Sequence, residues 1–362
     1  MKRVPKWRHA CGTFFLALLA ACQTVGPRSL QYGRGQYNAV VQRTNAEQIL
    51  LNLVRLRYRD APLFLDVTSI SSSLSLELGA EVLGQVGPDG RSVGPNGRVT
   101  YNERPTITYA PLQGERFGQQ FLTPLDPRML LLLYHSGWAI DRIFKVFLQR
   151  LGPLMNAPRA SGPTPDTAPH FRDFFHACDL LRGLWGEGFI DLGYLNYGDQ
   201  PVLALRIDAK VADSPQVHEL SRLLGLSEPR TTILLSEAVR PGDTNLVAMA
   251  PRSLLASMYY ASQGVEVPRR DREAGRVTVT RRIDGSVFDW TEVTGRILRV
   301  RASWRRPPEP YVSVYYRDHW WYIADNDLDS KSTFSFLSQA LEMLSSGVKS
   351  AGPVLTLPIG AD

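Results

Sequence analysis

Tyr311-Val312-Ser313-Val314-Tyr315-Tyr316-Arg317-Asp318-His319-Trp320-Trp321-Tyr322-Ile323-Ala324 decides the fold class. Aromatic and β-branched residues fill both sides of Arg317-Asp318, so 311–317 and 319–324 are expected to pair as antiparallel strands across that turn. Residues 297–304 supply a third strand before them. After them, Asp329 is placed to cap a helix that runs through Leu344. Antiparallel strands with helices before and after predict an α+β fold, built on a mixed or antiparallel sheet with flanking helices.

Further upstream the elements alternate. Residues 202–207 read as strand, 214–224 as helix, 231–237 as strand, and 251–263 as a helix ended by Gly264. Residues 170–186 form an aromatic, leucine-rich helix. Before it, 152–170 holds Pro153, Pro158, Pro163, Pro165 and Pro169 and is expected to be an exposed loop or linker. Asp126-Pro127 is an N-cap followed by proline at the first helical position, opening 129–135. A second helix is expected over 138–151, where Ile140, Ile143, Phe144, Phe147 and Leu148 share a face.

The N-terminal region begins with a helix over 37–58. Val41, Ile49, Leu53 and Leu56 make its apolar side, and Arg55 and Arg59 are available to the other face. Ala61-Pro62 ends it. Over 63–78 the period becomes two, with Leu74, Leu76 and Leu78 against Ser73, Ser75 and Glu77. A Gly/Pro-rich tip spans 84–97, and Val99, Tyr101, Ile107 and Tyr109 line one side of the return. This is a long N-terminal β-hairpin. Its strands either belong to the central sheet, the more economical arrangement, or form a projecting interaction arm.

The extreme N-terminus carries a different message. Lys2, Arg3, Lys6 and Arg8 precede an apolar run, Phe14 to Ala21, that ends in Leu19-Ala20-Ala21-Cys22. That order is a lipobox signal peptide, and the run is shorter than the roughly 18–20 residues a spanning helix needs. Cys22 is the expected lipidation site, thioether-linked to diacylglycerol, N-acylated by a chain of the palmitate type, and the first residue after cleavage. Gln23 is not the aspartate that marks inner-membrane retention, so the expected address is the periplasmic face of the outer membrane. Two or three acyl chains suffice to anchor the chain without any other membrane segment.

Residues 1–21 are then signal, 22–35 a Gly-rich tether, 36–151 the first helix, hairpin and helices, 152–170 the Pro-rich segment, and 171–362 an α+β region that joins 36–151 in one domain or stands as a second. The net charge of +6 falls to +2 once the four basic residues of the signal are removed. That near balance gives no basis for nucleic-acid binding. Cys178, in a helix-like segment, has no partner for an intrachain disulfide once Cys11 leaves and Cys22 is acylated, and is expected to be a buried thiol.

Motifs for chemistry are sparse. No Gly-x-Ser-x-Gly elbow, phosphate loop, His-x-x-x-His or Cys-x-x-Cys pair occurs, so neither cofactor nor metal is expected. His135-Ser136 are adjacent on a helix and do not face each other. Ser346-x-x-Lys349 stands at a helix end rather than a helix start. Asp325, Asp327 and Asp329 have calcium-loop spacing, but Ser330 and Phe336 replace the glycine and glutamate such a loop requires, leaving a helix cap. Residues 266–306 hold eleven arginines against six acids, close in sequence to Trp320-Trp321-Tyr322. A solvated face explains them, and an anionic surface or ligand is the functional alternative.

Several stretches resemble a family of uncharacterised lipoproteins of Gram-negative bacteria. They are Asn52-Leu53-Val54-Arg55-Leu56-Arg57-Tyr58, Pro105-Thr106-Ile107-Thr108-Tyr109 through Gly114-Glu115-Arg116-Phe117, residues 259–265, and Asp327-Leu328-Asp329-Ser330-Lys331-Ser332-Thr333-Phe334. The resemblance implies a membrane-anchored envelope protein and transfers no catalytic residue. The expected function is a non-enzymatic accessory or scaffold component that meets an envelope protein partner. The alternatives are an envelope hydrolase assembled from His135, His319, Asp325 and Asp327, and a ligand-binding lipoprotein recognisable by a deep pocket with a few convergent polar groups.

Overall fold

A computed structural model of the chain describes residues 38–84, 93–237 and 246–346. Cys22 with the expected signal and tether, Cys11, residues 85–92 of the expected hairpin tip and Lys349 lie outside the described residues. The fold is α+β, as the pattern predicts. No described helix is long and apolar enough to cross a membrane.

The chain divides into two compact units, one running to Ala61 and resuming over Pro124–Ala340, the other comprising Pro62–Thr123 with the segment from Leu341. The larger unit opens with α1 (38–57). The smaller unit holds β1 (Leu65–Gly84) and β2 (Val93–Pro111), then α2 (Gly114–Phe117), which continues as a wider turn over Gly118–Leu122. β1 and β2 pair antiparallel from Leu65 opposite Pro111 to Gly84 opposite Val93, in a two-stranded sheet of their own. This corrects the expectation that both strands join the central sheet. Phe64, Phe117 and Phe121 stack at the base of the hairpin, with centroids 4.2 and 5.1 Å apart, and Leu112 N donates to Phe64 O.

In the larger unit, α3 (Pro127–His135) and α4 (Ile140–Phe147) lead into β3 (Leu148–Leu151) and β4 (Leu154–Met155). Asp126 caps α3 through Arg128 N at 2.8 Å. The helix expected to reach residue 151 stops at Phe147. The reason is Arg252, 1% exposed, whose Nη1 takes the carbonyls of Lys145, Val146 and Leu148 at the C-terminal turn of α4. Asn156 Nδ2 shares two of them, Lys145 O and Leu148 O, so the carbonyls freed by the switch to strand are satisfied.

Then come α5 (Arg172–Gly186), β5 (Ile190–Tyr197), β6 (Gln200–Ile207), α6 (Pro215–Leu223), β7 (Thr232–Ser236), β8 (Leu246–Pro251) and α7 (Leu254–Ser262). The central sheet has the order β4-β3-β8-β7-β6-β5 and is antiparallel apart from the β7–β8 pair. It is a mixed sheet. α5 packs against α4 and α6, and α4 against α7. Cys178 is buried on α5, and burial pushes its thiol far above the ordinary range.

The Pro-rich segment is not an exposed linker. Leu154, Asn156, Ala157, Ala160 and Thr164 are buried, and a 3₁₀ turn covers Pro158–Ser161. Its backbone runs beside the 280–281 segment, with Arg281 N donating to Asp166 O and Ala168 N to Arg281 O.

The C-terminal part adds α8 (Arg269–Glu273), α9 (Thr291–Thr294), β9 (Arg301–Ser303), β10 (Pro310–Tyr316), β11 (His319–Ala324) and α10 (Leu328–Ser346). The three strands form an antiparallel sheet in the order β10-β11-β9. Arg317 and Asp318 both have positive φ, 50° and 63°, which gives the two-residue turn a twist that suits the hairpin. Asp327, not Asp329, caps α10 by accepting from Ser330 N and Oγ, while Asp329 pairs with Arg142.

Candidate functional site

The site starts from α1. Positions 50, 53, 54 and 57 repeat at helical spacing, and the first three are apolar and fully buried. Arg57 therefore lies on the stripe that faces the core, and it is 7% exposed. Its Nη1 donates to Thr164 Oγ1 at 2.8 Å, and its Nε has no hydrogen-bond partner. Burial lowers its pKa to about 10, with Arg272 and Arg59 acting in the same direction, so the guanidinium is still charged at neutral pH.

The neighbouring residues of α1 and its end bind other elements. Tyr58 donates to Asp271 at 2.6 Å, and Asp271, 2% exposed, also pairs with Arg276 at 2.8 Å. Burial and then the Asp271 carboxylate push the Tyr58 hydroxyl far up. Arg59 donates to Thr164 O. Asp60 accepts from Tyr316 and from two nitrogens of Arg317, fixing the left-handed turn of the β10–β11 hairpin. Burial would raise the Asp60 carboxyl, but these hydrogen bonds outweigh it and hold the group below its usual range.

Arg57 lines a cleft of about 640 Å³ whose other walls come from 263–268, Arg272, 278–280, 287–291, 294–295, 298–299, 302–304 and His319. One wall depends on glycine. A Cβ on Gly264 would stand 2.0 Å from Leu298 O, and the close approach lets Val300 N donate to Gly264 O and Glu266 N to Val300 O. Gly264 was expected as a helix terminator; its requirement is this backbone contact. Beside it, Gln263 is 3% exposed, donates Nε2 to Tyr259 O, and has no partner for Oε1. Trp290 supplies a fixed aromatic wall, its Nε1 donating to Thr280 Oγ1, which donates in turn to Pro165 O.

The charges of the lining divide unequally. Glu266 is held by Arg299 at 3.0 Å and accepts from Ala302 N, and Asp289 accepts from Thr291 N. Arg57 and Arg272 form no ion pair among the described residues. His319 places Nδ1 3.0 Å from Arg317 O, so that nitrogen carries the proton it donates. The result is a partly apolar cleft with two arginines, Arg57 and Arg272, that have no ion pair among the described residues, and an indole face.

Two other hollows differ. One of about 980 Å³ lies between the Pro-rich segment and 281–284, but there Arg281 is spent on Gly285 O and Arg282 on Glu292. Another, of about 210 Å³, is lined by Asp141, Lys145, Asp179 and Arg182, which pair with one another.

The four residues considered for a hydrolase do not converge. His135 is exposed at the end of α3, where Ser136 Oγ donates to Leu132 O. His319 begins β11 and Asp325 follows its end, so about 3.3 Å per residue separates them by about 20 Å. Asp325 pairs with Lys331, and Asp327 is spent on the α10 cap. Among the described residues no group of three or more His, Cys, Asp or Glu could hold a metal ion.

The arginine-rich segment is not one basic face. Arg269, Arg276, Arg282 and Arg299 are ion-paired, whereas Arg272 faces the cleft. Arg305 and Arg306 sit over the rings of Trp304 and Trp320, and Trp304 is 78% exposed. Arg57 and Gln263 were missed as site residues. The signal for Arg57 was its place in an apolar stripe, which calls for a buried charge; none marked Gln263 beyond the glycine after it. In comparisons with known proteins, the chain matches no family model, no curated protein and no solved structure.

Proposed function

We propose that the protein is a lipid-anchored component of the cell envelope that acts by binding a small ligand, held by acyl chains on Cys22 at the periplasmic face of the outer membrane. The observation that carries the binding reading is a cleft of about 640 Å³ lined by Arg57 and Arg272, neither of which has an ion pair among the described residues, beside the Trp290 indole. Two cations without ion pairs favour an anionic ligand, and the cleft volume is in the range that encloses small molecules.

The test has two arms. A fragment screen by ligand-observed NMR on the full-length protein in detergent should find ligands that lose binding in Arg57→Met; no saturable ligand at millimolar concentration would contradict the binding role. Cys22→Ala should abolish incorporation of labelled palmitate and release the protein from the membrane fraction, and retention there would contradict the anchor. A second reading, contact with an envelope protein partner, is favoured by the exposed Trp304 with Arg305 stacked on it. Crosslinking in intact cells tests it: a reproducible adduct through position 304 supports it, and a solitary protein counts against it.

A further inference from the structure

We infer that two copies of this chain pair edge to edge through β10, antiparallel about a two-fold axis at Ser313, joining their three-stranded sheets into one of six strands. β10 is the outer strand of the order β10-β11-β9, and no other described strand pairs with its far side. The two-residue turn at Arg317-Asp318 makes Tyr316 and His319 the first hydrogen-bonded pair, so along the register Val314 and Val312 also bond to β11. The backbone N–H and C=O groups of Ser313 and Tyr315 therefore point away from β11, and no described backbone group pairs with them. Edges that stay free are blunted by charge, proline or a bulge. β10 has Pro310 and a bulge between Pro310 and Val312 at its start, but 312–316 carries no proline and no charge. On this strand Tyr311 and Tyr315 are 40% and 57% exposed, whereas Val312 and Val314 are buried.

The strand itself identifies the occupant. Tyr311-Val312-Ser313-Val314-Tyr315 is a palindrome, so an antiparallel copy centred on Ser313 sets Val312 opposite Val314 and Tyr311 opposite Tyr315. The two Ser313 residues then exchange a pair of backbone hydrogen bonds, and each exposed tyrosine gains a cross-strand aromatic partner. Just beyond the strand, Glu309 of one copy comes beside Arg317 of the other at both ends, acid against base. A two-fold contact of this kind uses one patch twice and closes at two copies. β10 contributes nothing to the lining of the cleft, so the inference stands apart from the ligand reading.

Disulfide trapping of the full-length protein in detergent tests the axis. With an added oxidant, Ser313→Cys should give a covalent dimer well above the background of the parent chain. Directly opposed residues of a hydrogen-bonded pair stand about 5.5 Å apart between Cα atoms, within disulfide reach. Tyr315→Cys should stay at background, because its two copies lie four residues apart along the strands, more than about 13 Å. Ser313→Pro removes only an outward N–H, which an edge strand tolerates. It should shift the protein toward monomer in sedimentation equilibrium at matched detergent density, with the circular dichroism of the parent chain. Crosslinking at 313 no greater than background, equal crosslinking at 313 and 315, a parent chain that is monomeric at every concentration, or dimers of equal stability in the parent and Ser313→Pro would overturn the inference.

Discussion

Two buried arginines, Arg252 and Arg57, sit in the same unit and spend their donors in opposite ways. Arg252 is saturated: Nε donates to Ser161 Oγ, Nη1 to three carbonyls, Nη2 to Asn156 O, and its plane lies 4.0 Å from the Tyr260 centroid. Burial lowers its pKa to about 10, as it does for Arg57, yet no carboxylate is needed because backbone dipoles solvate the charge. Arg57 has one side-chain partner and an idle Nε beside a cleft. Burial alone does not mark a functional arginine. An incomplete donor set on a residue that lines a cleft is what separates Arg57.

The largest effect expected from breaking this contrast is at the saturated residue. Arg252→Met takes the guanidinium from four buried carbonyls at the junction of α4, β3 and the Pro-rich segment, of which only Lys145 O and Leu148 O keep Asn156 Nδ2, and should cost on the order of 3–5 kcal/mol by urea denaturation. Next is Gly264→Ala. Its Cβ would meet Leu298 O at 2.0 Å, so the cleft wall must shift, with an expected loss of about 2–3 kcal/mol and a broadened cleft signal by NMR.

Asp271→Ala removes the buried link from Tyr58 and Arg276 and should lower stability by about 1–3 kcal/mol, with Tyr58→Phe giving no further loss in the double variant. A smaller effect is pH-dependent. The folded-state pKa of Asp60 lies below its unfolded value, so its contribution is present above the ordinary carboxylate range and is lost as pH falls through the folded value. Unfolding of Asp60→Asn should therefore be less acid-sensitive than that of the parent chain, and identical pH profiles would remove Asp60 from the account.

Much of the fold was legible in the sequence because local chemistry and tertiary packing agree there. The 311–324 hairpin alternates and turns where expected, and Asp126-Pro127 and Ser214-Pro215 cap their helices. Other elements were hidden by competing signals. Leu148 continues the i,i+4 spacing from Phe144, so β3 read as helix until Arg252, distant in sequence, claimed the carbonyls. β5 carries Asp191, Gly193 and Asn196, which mask its strand character. Pro251-Arg252-Ser253 looked like a helix start and concealed the end of β8. The cleft was illegible for the same reason: Arg57 and Gln263 are about two hundred residues apart, and their walls are brought together by the Tyr58–Asp271 link, the Gly264–Leu298 contact and the Pro-rich segment.

The most direct test of the difference between the two arginines is the urea unfolding free energy of Arg57→Met measured beside that of Arg252→Met. A recognition group held against its own desolvation cost contributes little to stability, so Arg57→Met should stay within about 1 kcal/mol of the parent chain. A loss of about 3 kcal/mol or more, equal to that of Arg252→Met, would make Arg57 a second structural arginine and contradict the account.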